Sequence, residues 1–229
     1  NAEMVHDFAI TERYLVFVLM PLRYKRRSGK ETRSFMERFH WDPAGHVDVL
    51  LVDKESLTVA RRFETDPFFA FHFGNAWEDG ETVRLEVARA PEFEPLMNAI
   101  IRATEAQTVD KLARPRLMDL SLSLANNTPQ TSDLPVRGAE FPLFDQRFTG
   151  LQTNHLFMMG DTDSGPGGTF GFNQLIVLDR SSARVRRWSY EPRVIAEEHL
   201  FVPDKGKGES QGWILGTTFD PVDKTTSLQ

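Results

Sequence analysis

The chain contains no cysteine, and this absence excludes both disulfide scaffolds and thiolate–metal sites. A cysteine-free chain suits a reducing compartment, so we expect a cytoplasmic protein. A run of about 18 apolar residues, the length that a membrane-spanning helix requires, is missing as well. We therefore expect no transmembrane segment.

The chain also lacks a surplus of basic residues and is poor in tyrosine. Lys and Arg number 27 against 33 Asp and Glu, which gives a formal net charge of −6. Nucleic-acid binding depends on cations that neutralise phosphates, so this balance argues against a nucleic-acid partner. The aromatic residues are dominated by 18 Phe against 3 Tyr, and such apolar rings either fill a core or line an apolar passage.

Short strands are the dominant pattern. Tyr14–Met20 is a continuous apolar run, typical of a strand buried on both faces. Residues 47–63 read as a strand, a turn that opens at Asp53, and a second strand. The same hairpin pattern returns in residues 174–188, where Asp179 opens the turn. The sequence therefore predicts an all-β protein in which a hairpin unit is repeated.

One segment departs from the strand pattern. Its apolar residues recur at intervals of three and four, which is the spacing of one helical face. They are Phe93, Leu96, Met97, Ile100 and Ile101. We expect a short helix over roughly residues 94–106, inserted between strands.

Four polar residues recur at nearly constant intervals along the chain. They are separated by 66, 68 and 58 residues and are His6, His72, Glu140 and Glu198. The hairpins stay in step with them, because His72 and Glu198 each lie 19 residues after the aspartate that opens the preceding hairpin turn. This repetition indicates that one unit is reused and that each copy delivers a polar residue to a common point, which predicts a β-propeller.

The spacing of the repeat also predicts long loops. Common propeller blades have about 40–50 residues, and the intervals here are longer. Loops of this kind are where a substrate passage could be built.

The two histidines are candidate metal ligands, and the two glutamates are candidates for supporting them. Neutral imidazole is the commonest protein ligand for iron, copper and zinc. A carboxylate that accepts the Nδ1–H of a ligating histidine fixes its tautomer and raises its basicity. His6 and His72 could thus supply two ligands to a metal on the axis, with Glu140 and Glu198 behind the ligands.

A simpler interpretation of the same four residues is structural. A histidine beside an apolar strand is more often a hydrogen-bonded core or rim residue than a ligand. The glutamates could be ordinary buried acids paired with arginines such as Arg137 or Arg193. Four further histidines are given this structural interpretation. Three of them lie in polar or loop-like contexts, and the fourth, His199, is turned away from Glu198 by strand alternation. They are His40, His46, His155 and His199.

The segments around the four recurring residues resemble those of the carotenoid cleavage oxygenases. This family includes carotenoid, apocarotenoid and lignostilbene dioxygenases and a retinoid isomerase. The similar segments extend over nearly the whole chain and are Val5–Phe8, Ile10–Glu12, Tyr14–Phe17, Phe71–Phe73, Asn75–Glu78, Glu140–Pro142, Glu198 and Phe201–Pro203. One departure is His199, at a position where the family usually has proline.

This resemblance implies a seven-bladed β-propeller of which residues 1–229 form a central part, a single domain that is incomplete at both ends. It implies that His6 and His72 are two of four histidines that bind Fe(II), the first and last lying outside the 229 residues. It also implies that Glu140 and Glu198 support ligating histidines without binding the metal themselves.

The implied activity is that of a non-haem Fe(II) dioxygenase, which uses O₂ to cleave a conjugated C=C bond into two carbonyl products. The expected substrate is an apolar conjugated small molecule, either a carotenoid or apocarotenoid or a lignostilbene-type compound. Two alternatives stay open. One is a metal-free propeller that serves as a binding or scaffold module, and the other is an inactive fragment that lacks two iron ligands.

Overall fold

The computed structural model describes residues 4–24, 38–90, 93–104, 115–161 and 171–229, which fold into successive antiparallel sheets. The strands are β1 (Ala9–Ile10), β2 (Tyr14–Leu19), β3 (Leu22–Tyr24), β4 (Phe39–Trp41), β5 (Val47–Asp53), β6 (Val59–Thr65), β7 (Phe69–Asp79), β8 (Thr82–Ala90), β9 (Arg116–Ser123), β10 (Thr128–Arg137), β11 (Ala139–Leu143), β12 (His155–Gly160), β13 (Gln174–Asp179), β14 (Arg184–Ser189), β15 (Ile195–Pro203), β16 (Gly212–Asp220) and β17 (Thr225–Leu228). The helices are α1 (Phe93–Thr104) and a short 3-10 helix (Gln146–Phe148).

The sheets are up-and-down meanders in which strands that are neighbours in sequence pair with one another, except that β2 pairs with β5 in the first sheet. Their orders are β1-β2-β5-β6, β7-β8-β9-β10, β11-β12-β13-β14 and β15-β16-β17, with β3 and β4 paired as a separate ladder. Successive four-stranded meanders are the blades of a β-propeller. The predicted all-β fold is therefore confirmed, with one α-helix in the described part of the chain.

The helix α1 lies between the second and third strands of the second sheet and covers part of its core. It begins at Phe93 and ends at Thr104, close to the predicted bounds, while residues 105 and 106 lie outside the described residues. Phe93 and Met97 are buried. The ring of Phe93 lies 4.9 Å from that of Phe69 and 6.1 Å from that of Trp41. No helix among the described residues is long and apolar enough to cross a membrane.

Strand β2 is buried on one face rather than on both faces, so that prediction was wrong. Tyr14, Val16 and Val18 are buried, whereas the alternate residues are only half-buried. Phe17 on the second face stacks on Phe8 with 5.4 Å between ring centroids. This partial cover explains why the strand is apolar throughout although only one of its faces is inside the core.

The outer hairpin of each of the four sheets closes with the same five-residue turn. A polar side chain opens the turn and accepts a hydrogen bond from the backbone N–H three residues later. The fifth residue adopts a left-handed backbone conformation. The opening residues are Asp53, Ser123, Asp179 and Asp220, and the fifth residues are Leu57, Asn127, Ala183 and Lys224, with φ of 54°, 53°, 52° and 53°. The repeat found in two places in the sequence thus occurs in all four sheets.

The turn aspartates should make the stability of the fold depend on pH. Hydrogen bonds from Ser181 and Ser182 lower the pKa of Asp179 from 3.8 to about 2. Since the pKa in the folded state lies below that in the unfolded state, ionised Asp179 stabilises the fold above about pH 4, and this contribution is lost as the pH falls towards about 2. We expect Asp179→Ala to lower the melting temperature at neutral pH and the difference from the wild type to shrink over that acidic range.

Circular dichroism melts of the wild type and two variants between neutral pH and pH 2 would test this expectation. Asp179→Asn keeps an acceptor oxygen that does not titrate. Its melting temperature should therefore exceed that of Asp179→Ala by an amount that stays constant with pH. A wild-type advantage over Asp179→Ala that is the same at every pH would contradict the assignment.

Candidate metal centre

The four residues that recur in the sequence all lie at the first strand of a sheet. His6 lies three residues before β1, His72 in β7, Glu140 in β11 and Glu198 in β15. The first strands of neighbouring sheets contact one another, β1 with β7, β7 with β11 and β11 with β15. The fold therefore brings residues that are far apart in sequence into one region.

His6 and His72 meet through their Nε2 atoms. The two atoms are 3.4 Å apart, and the ring centroids are 5.1 Å apart with 76° between the ring planes. On its other side, His72 places Nδ1 3.0 Å from Oε2 of Glu140. Three of the four predicted site residues are thus in contact, in the order His6, His72, Glu140.

The contact with Glu140 determines which nitrogen of His72 carries the proton. An ionised carboxylate only accepts, so Nδ1–H donates to Glu140 and the lone pair of Nε2 faces His6. Burial acts to lower the pKa of the His72 ring, but the hydrogen bond to Glu140 and three nearby carboxylates outweigh burial and raise that pKa. The three carboxylates are those of Glu140, Glu198 and Asp7. The same negative charges would stabilise a cation held at Nε2.

Bulges in β7 and a side chain from the first sheet hold this stretch in place. The register between β7 and β8 shifts on both sides of Phe73, and such bulges re-aim the neighbouring side chains. The Oδ2 atom of Asp7 accepts the backbone N–H of Phe73 at 3.0 Å. Because Asp7 follows His6 and Phe73 follows His72, this bond fixes the two histidine segments to each other. The sequence motifs did not single out Asp7, and its position after His6 was the only available signal.

Phe141 is held in a left-handed backbone conformation beside the two histidines. Its φ is 52°, which is rare for a bulky residue and typical of sites where the surrounding structure imposes strain. This conformation directs its N–H to Oε2 of Glu140 at 3.0 Å and places its ring 4.8 Å from that of His72. Phe71 contacts the His6 ring at 5.2 Å. Apolar rings therefore flank the histidine pair, and nothing in the sequence pattern predicted the strain at Phe141.

Glu198 is close to this group but makes no hydrogen bond with it. Its side chain is exposed, and its charge acts on the pKa of His72. No hydrogen-bond partner of Glu198 occurs among the described residues. The arginine partner considered for it is engaged elsewhere, because Arg193 pairs with Asp220 and Asp223 at 2.9 and 3.1 Å.

A second group of possible metal ligands lies on the surface of the first sheet. The ligand atoms of His46, Asp48 and Glu64 lie within 4.8 Å of one another. Arg62 occupies this group, with two hydrogen bonds of 2.8 Å to Asp48. An exposed ion-pair network accounts for the cluster, in agreement with the structural interpretation of His46.

The donor set of the His6–His72 pair fits a divalent transition-metal ion. Imidazole nitrogens bind such ions at about 2.1 Å, so two of them on one ion can be separated by the 3.4 Å found here. Glu140 gives the hydrogen-bonded support that ligating histidines almost always have. Its second oxygen, Oε1, is buried and has no partner among the described residues. His6 and His72 could therefore hold the ion, and Glu140 could orient His72.

Comparison with known proteins places the chain in a family. The model of the family described as retinal pigment epithelial membrane protein matches residues 1–229. The carotenoid 9,10(9′,10′)-cleavage dioxygenase of Crocus sativus is 25% identical over 156 residues, which are 67% of this chain and 28% of that protein. Isoeugenol monooxygenase of Pseudomonas putida is 25% identical over 222 residues, 92% of this chain and 45% of that protein.

Solved structures share the fold at low sequence identity. The crystal structure of Pseudomonas brassicacearum lignostilbene dioxygenase superimposes with a TM-score of 0.80 and 22% identity, covering 99% of this chain and 49% of that chain. The matched residues thus span less than half the length of each of these three relatives. Since the family model matches the whole of its length, the chain belongs to the retinal pigment epithelial membrane protein family, the family of the carotenoid cleavage oxygenases.

Proposed function

We propose that the full-length protein carrying these residues is a metal-dependent dioxygenase that cleaves a conjugated C=C bond of an apolar small molecule. One observation carries the proposal, namely the convergence of the Nε2 atoms of His6 and His72 to 3.4 Å with Glu140 hydrogen-bonded behind His72. The names of the relatives add support, because they include a carotenoid cleavage dioxygenase, a lignostilbene dioxygenase and an isoeugenol monooxygenase.

His6 and His72 would hold ferrous iron, the ion that the resemblance implies. Both are neutral ligands, so they would add no negative charge to the site, and the resemblance implies that two further histidines, outside residues 1–229, complete the set of ligands. Bound there, Fe(II) would supply the activation of O₂, whose two oxygen atoms end on the two carbonyl products of the cleaved alkene. Glu140 would keep His72 in the Nδ1–H tautomer, which leaves Nε2 free to bind.

The apolar rings around the histidine pair suit a conjugated substrate. Phe71 and Phe141 contact the imidazoles, and Phe172 extends this wall, with its ring 5.6 Å from that of Phe141. Such rings bind a polyene or a stilbene by contact area and keep water away from the reacting bond. No side-chain nucleophile is required for this chemistry, since O₂ provides both of the atoms that are added.

The proposal can be tested with the full-length protein loaded with Fe(II) under anaerobic conditions. Phenolic stilbenes and apocarotenoids would be added together with ¹⁸O₂, and the products analysed by mass spectrometry. We expect at least one substrate to give two carbonyl products, each carrying the label. If folded, iron-loaded protein leaves every substrate intact, the proposed oxygenase activity is wrong. Folded protein that binds no iron would favour a metal-free binding or scaffold propeller.

A further inference from the structure

Strand β15 carries a bulge between Ala196 and His199. Ala196 pairs with Thr218 of β16, and His199 pairs with Gly216, so three steps along β15 match two steps along β16. An extra residue of this kind breaks the alternation of side chains. As a result, the two glutamates inside the bulge, at positions 197 and 198, are both exposed, while His199 is buried.

The two glutamates of the bulge have different surroundings. The carboxylate of Glu197 accepts a short hydrogen bond from the hydroxyl of Thr217 on β16. Glu198 has no such bond among the described residues, and its charge acts on the pKa of His72. The bulge thus ties one carboxylate to the neighbouring strand and leaves the other near the histidine pair.

His199 binds the backbone of the bulge through its own ring. Its Nδ1 atom lies 2.7 Å from the carbonyl oxygen of Glu197. A carbonyl only accepts, so Nδ1 carries the proton. Nε2 then accepts from the hydroxyl of Tyr190 at 2.8 Å. Only 5% of His199 is exposed, and both ring nitrogens are satisfied by bonds that define one tautomer.

The opposite strand and the preceding sheet are shaped around this ring. A Cβ atom at Gly216 would lie 2.0 Å from Nδ1 of His199, so only glycine leaves room for the imidazole there. Tyr190 is itself held by its backbone N–H, which donates to the carbonyl of Asn173 at 2.8 Å. His199 therefore connects the end of the third sheet to the first strand of the fourth.

We propose that His199 is a positioning residue that sets the direction of the Glu198 carboxylate relative to the His6–His72 pair. Its bond to the Glu197 carbonyl fixes the backbone of the bulge, and Glu198 is the residue between the two bonded groups. The role at the metal rests on the proposed function, since Glu198 matters to a metal only if the histidine pair holds one. The role in holding the bulge does not depend on it.

Two amide variants of the full-length protein separate the two bonds of the imidazole. In His199→Asn, the side-chain N–H takes the place of Nδ1–H and keeps the bond to the Glu197 carbonyl. In His199→Gln, the amide reaches towards Tyr190 and gives up the Glu197 bond. Tyr190→Phe is the matched control, because it leaves the Glu197 bond in place. Co(II) affinity and the visible spectrum of the bound Co(II) are measured for all three without substrate.

We expect His199→Gln to weaken Co(II) binding by about tenfold, the lower end of the loss found when support for metal ligands is removed, with an altered Co(II) spectrum. His199→Asn and Tyr190→Phe should stay within about twofold of the wild type. Adding Glu198→Gln to His199→Gln should cause no further loss, because both changes remove the same carboxylate from its place. Equal affinities and spectra in His199→Asn and His199→Gln would overturn the proposal, as would additive losses.

Crystal structures of the two amide variants give a readout that needs no metal. The Glu198 carboxylate should be displaced in His199→Gln and unmoved in His199→Asn. An unmoved carboxylate in His199→Gln would overturn the inference, even if the protein binds metal. Wild-type protein that binds neither Co(II) nor Fe(II) would overturn the proposed function instead. If His199→Gln fails to fold while His199→Asn folds, the structure of His199→Asn tests the inference. That variant keeps the bond to the Glu197 carbonyl, so a displaced Glu198 carboxylate would contradict the role of this bond.

Discussion

Replacing His72 with alanine should abolish iron binding and, with it, oxygenase activity. His72 is the central member of the His6–His72–Glu140 series, so its loss removes one ligand and leaves Glu140 as a largely buried carboxylate without its partner. The measurement is the iron content of purified full-length protein, together with its activity. His155→Ala is the matched control, because this imidazole lies beside Glu209, at 3.8 Å, outside the histidine pair.

The His72→Ala variant should lose nearly all its iron, whereas His155→Ala should keep the stoichiometric amount. The iron content of Glu140→Gln should lie between those of His72→Ala and His155→Ala. Glu140→Gln preserves an acceptor for Nδ1–H but removes the negative charge, and loss of such support typically costs about 10–100-fold in metal affinity. Full iron occupancy in folded His72→Ala would eliminate this residue as a ligand.

Removing Arg180 should destabilise the protein more than removing any other ion-pair partner among the described residues, because its pair with Glu86 is the most deeply buried of them. Its guanidinium makes two short hydrogen bonds to the carboxylate of Glu86, and the exposed fractions of the two side chains are only 12% and 1%. Arg180 also donates to the carbonyl and hydroxyl of Thr153, at 2.8 and 3.0 Å. The pair connects the second sheet to the third. Leaving one partner of a buried pair uncompensated costs about 3–5 kcal/mol.

Urea unfolding of Arg180→Met should therefore show a decrease of about 3–5 kcal/mol in the free energy of unfolding at neutral pH. Burial raises the pKa of Glu86, and Arg180 opposes that rise. Without Arg180 the pKa of Glu86 would rise further above its unfolded value of 4.5, so folding would be coupled to proton uptake at pH values between the unfolded and the folded pKa. The deficit should thus shrink as the pH falls towards 4.5.

The double variant Glu86→Gln/Arg180→Met is the control for this explanation. It removes the uncompensated charge, so it should recover a large part of the lost stability and remove most of the pH dependence. A loss below about 1 kcal/mol in Arg180→Met, the size expected of an exposed pair, would contradict the assignment. Arg116→Met supplies that comparison, since its pair with Asp133 is about half exposed on both sides.

The parts of the structure that could be predicted from sequence are those with a local pattern. Asp53 and Asp179 identified two hairpins because each aspartate begins a turn between two apolar runs. The same turns at Ser123 and Asp220 were not predicted, although their backbone geometry is the same. Helix α1 was found from its spacing of apolar residues, and its first residue, Phe93, differs by one from the predicted start.

The candidate site was predictable only in its recurring members. His6, His72 and Glu140 follow the interval of the repeat, and the structure brings them into contact. Asp7 was not found, because its bond to Phe73 joins residues 66 apart. The left-handed conformation at Phe141 was equally hidden, since it arises where the register of β11 shifts between Glu140 and Leu143.

Contacts at the rim of the molecule join residues that are close in sequence, whereas contacts at its centre join residues that are far apart in sequence. A peripheral turn is complete within five residues, whereas the two bonds of His72 reach partners 66 and 68 residues away. An insertion or exchange at one rim turn is therefore absorbed locally. At the centre, a change in one blade takes effect in the next. Substitutions should accordingly accumulate first at the rim of such a protein and only later at its centre. A blade transplanted from a relative would keep its rim turn, but its contacts with the neighbouring blades at the axis would have to form anew.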